Sequence, residues 1–246
     1  ELLLIIQNCN TVLMLERNKR VRPQTDDKQL LGWNALMNTA FSKAYAATGN
    51  KKYLMRAQQN MAHLFEHFKN LEGEGWFHTY KNGVAKTPAF LDDYAYLIEA
   101  LIQLQTVSGD LHWLEKAGAI AAYVNTHFIE SSTGFYFYTH DAQTDVIVRK
   151  KEVYDGATPS GNAVMASNLL HLSVVYASDK YLTLSKKTCL SLLPAIAKHP
   201  GSFGVWAGVV YNQVVGLREL TLIGPGVLPY LEAALPLYRP NLILNI

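Results

Sequence analysis

The feature that most constrains this chain is a pattern that it uses three times. WNALMNTAFSKAYAATGNKKYLMRAQQNMAHLFEHF starts at Trp33, DYAYLIEALIQLQTVSGDLHWLEKAGAIAAYVNTHF at Asp93, and GNAVMASNLLHLSVVYASDKYLTLSKKTCLSLLPAI at Gly161. Each stretch is an apolar helical run of about four turns, a small-residue turn, an aromatic-Leu pair and a more amphipathic second run. The turns are Thr48-Gly49-Asn50, Ser108-Gly109-Asp110 and Ala177-Ser178-Asp179, and the pairs are Tyr53-Leu54, Trp113-Leu114 and Tyr181-Leu182. The unit is an αα-hairpin, predicted over residues 33–69, 92–128 and 161–197, with a period of roughly 60 to 70 residues. The first helix of each unit is apolar nearly all round and is expected inside. The second has the polar face of an outer layer. Inner helices ringed by outer helices make an α/α toroid, so the expected class is all-α.

The connections carry their own signal. GWFHTYKNGVAKTPAF alternates around Asn82-Gly83 and predicts a tight β-hairpin near 76–87. GFYFYTHDAQTDVIVRKKEVYDGATPSG predicts a second one near 135–149. Counting gives three complete hairpins, an initial helix over 1–18 and an unpaired inner helix near 203–215. A closed ring takes about six hairpins, so a partial toroid, an open arc, is expected over 1–215. Residues 216–246 read as a small α/β appendage: LRELTLIG and RPNLILNI are strand-like and GVLPYLEAALPLY is helical. Gly224-Pro225-Gly226 has neither dinucleotide nor P-loop spacing.

Composition narrows the function. With 49% hydrophobic and 17% charged residues, much of the chain is packed against something. A net charge of +2 without a dense Lys/Arg stripe gives no nucleic-acid or membrane footprint. Cys9 and Cys189 are isolated, without a CxxC or a histidine in ligand spacing, so a reduced, cytoplasmic protein is expected, with no metal and no cofactor. The apolar start ELLLIIQNCN is broken by Gln7, Asn8 and Asn10 and has its basic residues after it, unlike a secretory signal; it reads as a helix entered midway.

The candidate site lies where inner-helix starts and connecting loops share one end of the ring. Phe90 to Glu99 reads FLDDYAYLIE, two adjacent carboxylates at the head of an apolar run. Capping and helix-dipole complementation account for one of them. The pair calls for more, because one carboxylate can cap while the other faces the funnel as a general acid or base. Asp93 is the expected funnel residue, and Tyr94 after it offers a stacking face. Asp155, before the third inner helix, is the expected second catalytic carboxylate, beside Arg149 and Lys150. Asp27, Trp33, Asn34, Asp92, Tyr94, Tyr154 and Asn162 are the expected substrate-binding groups, converging with Asp93 and Asp155 on one concavity. The plain alternatives are a solvated charge run at Asp26-Asp27-Lys28 and a pairing of Arg149 with Asp155. Ser160 is the expected cap of the third inner helix. Of the histidines, His63, His67, His112, His127 and His171 fall within helices and read as structural or solvated, while His78 and His140 sit in the connections.

Taken together, RPQTDDKQLLGWNALM, AKTPAFLDDYAYLIEAL and YDGATPSGNAV resemble, over nearly the whole chain, the large helical region of the thioredoxin-domain-containing proteins of the bacterial YyaL type and their animal spermatogenesis-associated relatives. The resemblance implies a six-hairpin-glycosidase-like (α/α)6 region similar to N-acylglucosamine 2-epimerases and cellobiose epimerases. It also implies a thioredoxin-like domain of the same full-length chain as a partner. Epimerases of that fold rely on histidines, and no histidine stands at an inner-helix start here, so carboxylate chemistry of the glycoside hydrolase type is a rival. Three functions follow: an enzyme that epimerises or hydrolyses a small carbohydrate, a non-catalytic sugar-binding module, or a scaffold in which Lys28, Lys86 or Arg149 neutralises the acids.

Overall fold

The computed structural model describes residues 1–71 and 73–246. A first helix, α1 (Leu2–Asn18), buries none of its residues. The three repeats follow as α2 (Leu31–Thr48) with α3 (Lys51–His67), α4 (Leu91–Ser108) with α5 (Leu111–His127), and α6 (Gly161–Val175) with α7 (Asp179–Lys198). A further inner helix, α8 (Gly204–Val215), packs on α6. Each hairpin turn ends its inner helix with a left-handed residue and caps the outer helix with a polar side chain. Gly49 (φ 66) precedes Asn50, whose side chain accepts from Lys52 N at 3.1 Å, and Gly109 (φ 71) precedes Asp110, which accepts from His112 N at 3.0 Å. In the third repeat Ala177 takes the left-handed position (φ 48) and Ser178 is the cap.

The helices separate into layers as their patterns require. α4 lies between α2 and α6 and buries nearly its whole surface, with Leu97, Ile98, Leu101 and Leu104 fully enclosed, each such side chain contributing about 1.5–3 kcal/mol. α3 buries only the stripe Ala57, Met61 and Leu64. The mostly helical, all-α architecture is therefore the expected one.

The first connection forms the expected hairpin. β2 (Phe77–Lys81) and β3 (Val84–Pro88) are antiparallel about Asn82 (φ 51) and Gly83 (φ 79), and β1 (Gln29–Leu30) adds a third strand on β2. The second expected hairpin, near 135–149, is a correction: among the described residues this segment holds no strand; Tyr136 bridges Ile129, Phe137 N donates to Phe128 O at 2.8 Å, and Tyr138 N donates to Lys150 O at 2.7 Å. The segment lacks an Asn-Gly turn. Its strand-like residues Ile147 and Val148 are exposed, and the Arg149 guanidinium takes the carbonyl of Thr139 that a ladder would need.

The tail forms a parallel pair, β4 (Arg218–Thr221) with β5 (Leu242–Asn245), joined through α9 (Leu228–Ala234). Ile243 and Leu244 are buried, and Ile246 rests on the α4–α5 turn at Gly109. No helix among the described residues is long and apolar enough to cross a membrane.

Candidate functional site

The adjacent aspartates stand where three inner helices begin. Asp93 faces α2: its Oδ1 accepts from Gly32 N at 2.9 Å, and its Oδ2 accepts from Phe90 N at 2.9 Å and lies 2.8 Å from His78 Nδ1. Its side chain is only 4% exposed. Asp93 is thus the capping carboxylate of α4, satisfying the orphan Phe90 N–H, and the sequence reading of Asp93 as the open funnel residue with Asp92 as the cap is reversed. Asp92 faces the other way, where the Gly161 N–H at the start of α6 donates to it. Burial, reinforced by the charges of Asp93 and Glu152, pushes the Asp92 carboxyl up to about 7.

Two glycines make this possible. A Cβ on Gly32 would stand 2.9 Å from Asp93 Oδ1, and one on Gly161 would stand 2.2 Å from Asp92 Oδ1 and 3.2 Å from the Asp92 backbone. Each carboxylate therefore has a bare backbone of a neighbouring inner helix pressed against it.

Aromatic groups close the Asp92 side. Tyr138 stacks on Phe90 with centroids 4.8 Å apart and planes 14° from parallel, and the Tyr96 hydroxyl donates to Pro159 O. Burial first, then the charges of Asp92 and Asp93, raises the Tyr138 hydroxyl; in Tyr96 burial and the same two charges outweigh the bond to Thr158 and lift it to about 12. His78 arrives from β2. Its bond to Asp93 outweighs burial and raises its pKa above the ordinary histidine value. Across the ladder from it, between the pairs Phe77↔Pro88 and Thr79↔Lys86, Thr87 holds a left-handed φ of 64, a strained choice for a β-branched residue.

The other predicted residues scatter. Asp27 is exposed and paired with Lys81. Trp33 is 65% exposed, while Asn34 turns sideways, donating to Leu30 O at 2.8 Å and accepting from Asn60. Tyr94 buries its hydroxyl under Trp76 N and lines a groove of about 590 Å³ between α3 and α5, outside the inner-helix starts. Tyr154 is exposed, its ring against Phe203. Asp155 spends both oxygens on backbone amides, Ser160 N at 3.0 Å and Val205 N at 2.9 Å, and so caps α8. Asn162 is buried and clamps Tyr136 N, Tyr136 O and Glu152 O. The expected single concavity is therefore not assembled from this set. Nor do the cations named for the scaffold case engage the pair: Lys28 bonds Asp26, and Arg149 bonds carbonyls. His78 is the residue that sequence reading passed over. The Asn82-Gly83 turn fixes the register of β2, but its approach to Asp93 depends on how the hairpin lies on α4.

No family model matches the chain. An uncharacterized protein of Caenorhabditis elegans is 32% identical over 226 residues, covering 89% of this chain and 31% of that protein. Spermatogenesis-associated protein 20 of Rattus norvegicus is 27% identical over 249 residues, 94% of this chain and 31% of that one. The chain thus spans 31% of the length of these relatives. Among solved structures, the GH76 α-mannanase of Bacteroides thetaiotaomicron superposes with a TM-score of 0.57 at 19% identity, over 72% of this chain and 47% of that one. An α-1,6-mannanase of Salegentibacter, in a variant described as inactive with two adjacent aspartates replaced by asparagine and bound to α-1,6-mannotriose, gives 0.54 at 15% identity, over 66% and 46%. Cellobiose 2-epimerase of Bacillus thermoamylovorans gives 0.55 at 11% identity, over 68% and 45%. At these identities the structures speak for the fold, the α/α toroid of sugar-processing enzymes. The chain belongs to the spermatogenesis-associated protein 20 family and carries an α/α-toroid region of the six-hairpin-glycosidase and N-acylglucosamine 2-epimerase-like type.

Proposed function

We propose that Asp92, as general acid, and Asp93, as the fixed negative charge beside it, form the centre of a carbohydrate-processing site of the glycoside hydrolase type. The observation that carries this reading is the Asp92 carboxyl, pushed up to about 7. It is partly protonated at neutral pH and is able to donate a proton to a leaving glycosidic oxygen. Asp93, held by two backbone amides and His78, supplies a fixed negative charge beside the positive charge that develops on the sugar ring. The adjacent-aspartate variant of the Salegentibacter mannanase supports the assignment, since a dipeptide of the same kind opens α4 here. Phe90 and Tyr138 offer ring faces. The pairing of Asp93 with Asp155 gives way, because the Asp155 oxygens are taken by α8 and Ser160.

The His78–Asp93 contact favours a second reading, an epimerase in which this histidine exchanges a proton with a sugar carbon. The test is turnover of the full-length protein on α-mannosides, cello-oligosaccharides and free mannose, with a thermal-shift screen of the same sugars. Asp92→Asn is expected to cut kcat about 10²–10⁴-fold and to abolish the pH-rate limb near 7, with no loss of Tm. Undiminished turnover in that variant sinks the acid assignment, and a full-length protein that no sugar stabilises is a scaffold.

A further inference from the structure

We infer that His127, His140 and Asp141 form a site for one borderline divalent cation of the zinc class, outside the aspartate pair. His127 ends α5, and His140 and Asp141 follow in the connection to α6. The Asp141 carboxylate lies 3.1 Å from His127 Nδ1 and 3.0 Å from His140 Nδ1, and one ligand atom from each of the three residues falls within 4.8 Å of the others. Tetrahedral zinc with bonds of about 2.0–2.1 Å sets neighbouring donors about 3.3 Å apart, so the three ligand atoms, now within 4.8 Å of one another, draw in on the ion as the stacked rings turn their nitrogens toward it. Two imidazoles and a carboxylate are a donor set for zinc and its neighbours rather than for magnesium or calcium.

The internal repeat argues that packing alone does not require these residues. In the first repeat His67 ends α3 and stacks on Tyr80 with centroids 4.7 Å apart and planes 23° from parallel, and Lys81 follows. In the second repeat His127 stacks on His140 at 4.5 Å and 19°, and Asp141 follows. The flanking bridges, Lys69↔Trp76 and Ile129↔Tyr136, correspond as well. A tyrosine satisfies the stack, and a lysine the next position, in the first repeat. The second repeat puts a nitrogen donor and a carboxylate in their places.

The surroundings suit a cation with open coordination positions. His140, Tyr123 and Gln143 line a cavity of about 310 Å³ with Trp76 and Tyr94, and Gln143 Oε1 is buried there with no partner among the described residues. Arg149 is the near cation, but its guanidinium donates to the carbonyls of Thr139 and His127. One competing bond, Ala142 N to His140 Nδ1 at 2.9 Å, must yield to the ion.

The experiment is titration of chelator-stripped full-length protein with Zn²⁺ by calorimetry and with Co²⁺ by visible absorption. Asp141→Asn and His127→Gln are the test variants; the Asp141 side chain is half-exposed, so its replacement spares the fold. His67→Gln is the control. The expected result is one equivalent of metal lost, or its affinity lowered about tenfold or more, in both test variants and not in the control. Equal stoichiometry and affinity in wild type and both variants, or a Co²⁺ spectrum indifferent to them, overturns the inference.

Discussion

The two flanks of the α4 N-terminus differ in what they do with a carboxylate. On the α2 flank, Asp93 is sunk into the protein and answered by Gly32 N, Phe90 N and His78, so its oxygens are occupied by hydrogen bonds. On the α6 flank, Asp92 is met by the Gly161 N–H against the charges of Asp93 and Glu152, and its proton is held up to about 7. Neighbours in sequence, they divide between two tasks: one orders the helix start, and the other keeps its proton to higher pH. Local sequence sets the pair, and the helices on either side set the division.

Glycine substitutions test the division most severely. Gly161→Ala is expected to cost about 3 kcal/mol or more in denaturant unfolding, since the new methyl would meet the Asp92 backbone as well as its carboxylate. Gly32→Ala should cost less, about 1–2 kcal/mol, because its closest contact is a side-chain oxygen. The reverse order would mean that the α2 flank is the tighter one. Asp93→Ala is expected to lose about 2–3 kcal/mol by orphaning two backbone amides, whereas Asp92→Asn should be close to neutral in stability at about pH 4 and stabilising above it. Equal losses in the two would erase the distinction.

The pH dependence comes next in size. The Asp92 pKa is raised in the folded state, so the folded form binds its proton more tightly. Its contribution is complete below the unfolded value of about 4 and is lost as pH rises to about 7. His78, also raised, continues that loss above about 6.5. The shift alone corresponds to about 4 kcal/mol; solvent screening at this partly exposed carboxyl cuts the expected fall in unfolding free energy to about 2 kcal/mol, and the fall should flatten below pH 7 in Asp92→Asn. A slope unchanged by that substitution would place the proton elsewhere. The smallest effect is expected of Thr87→Gly, which relieves the left-handed strain opposite His78 at an entropic cost, for a net gain within about 1 kcal/mol by thermal unfolding. A clear destabilisation would show that the Thr87 side chain, not its backbone, supports the Asp93 flank.

The repeat was legible because turn chemistry and apolar periodicity agree in all three units, and the Asn82-Gly83 hairpin was legible because a two-residue turn of that type has few alternatives. The connection after α5 was misread: FYFY resembles a strand, but a strand needs a partner face, and Ile147 and Val148 find only solvent. The pair Asp92-Asp93 stood out at once, yet which of them caps α4 depends on Gly32 and Gly161, remote in sequence. Asp155 was read as an acid because it precedes an inner helix. Its oxygens are claimed by Val205, at the start of a later helix whose approach no local pattern announces.

The layering also bears on cooperativity. Inner helices pack chiefly on the inner helix before or after, and each outer helix packs chiefly on its own inner partner. Among the helices α2 to α8, contacts therefore run along the chain, as in a one-dimensional array of coupled units, while the tail returns to α4 at Gly109. Loosening at α8 reaches α6 before it reaches α4, and α1, with nothing buried, transmits nothing inward. The aspartate pair sits on α4, which is flanked by inner helices on both sides, so partial opening from either end of the arc leaves the first turn of α4 among the last parts of the structure to come apart.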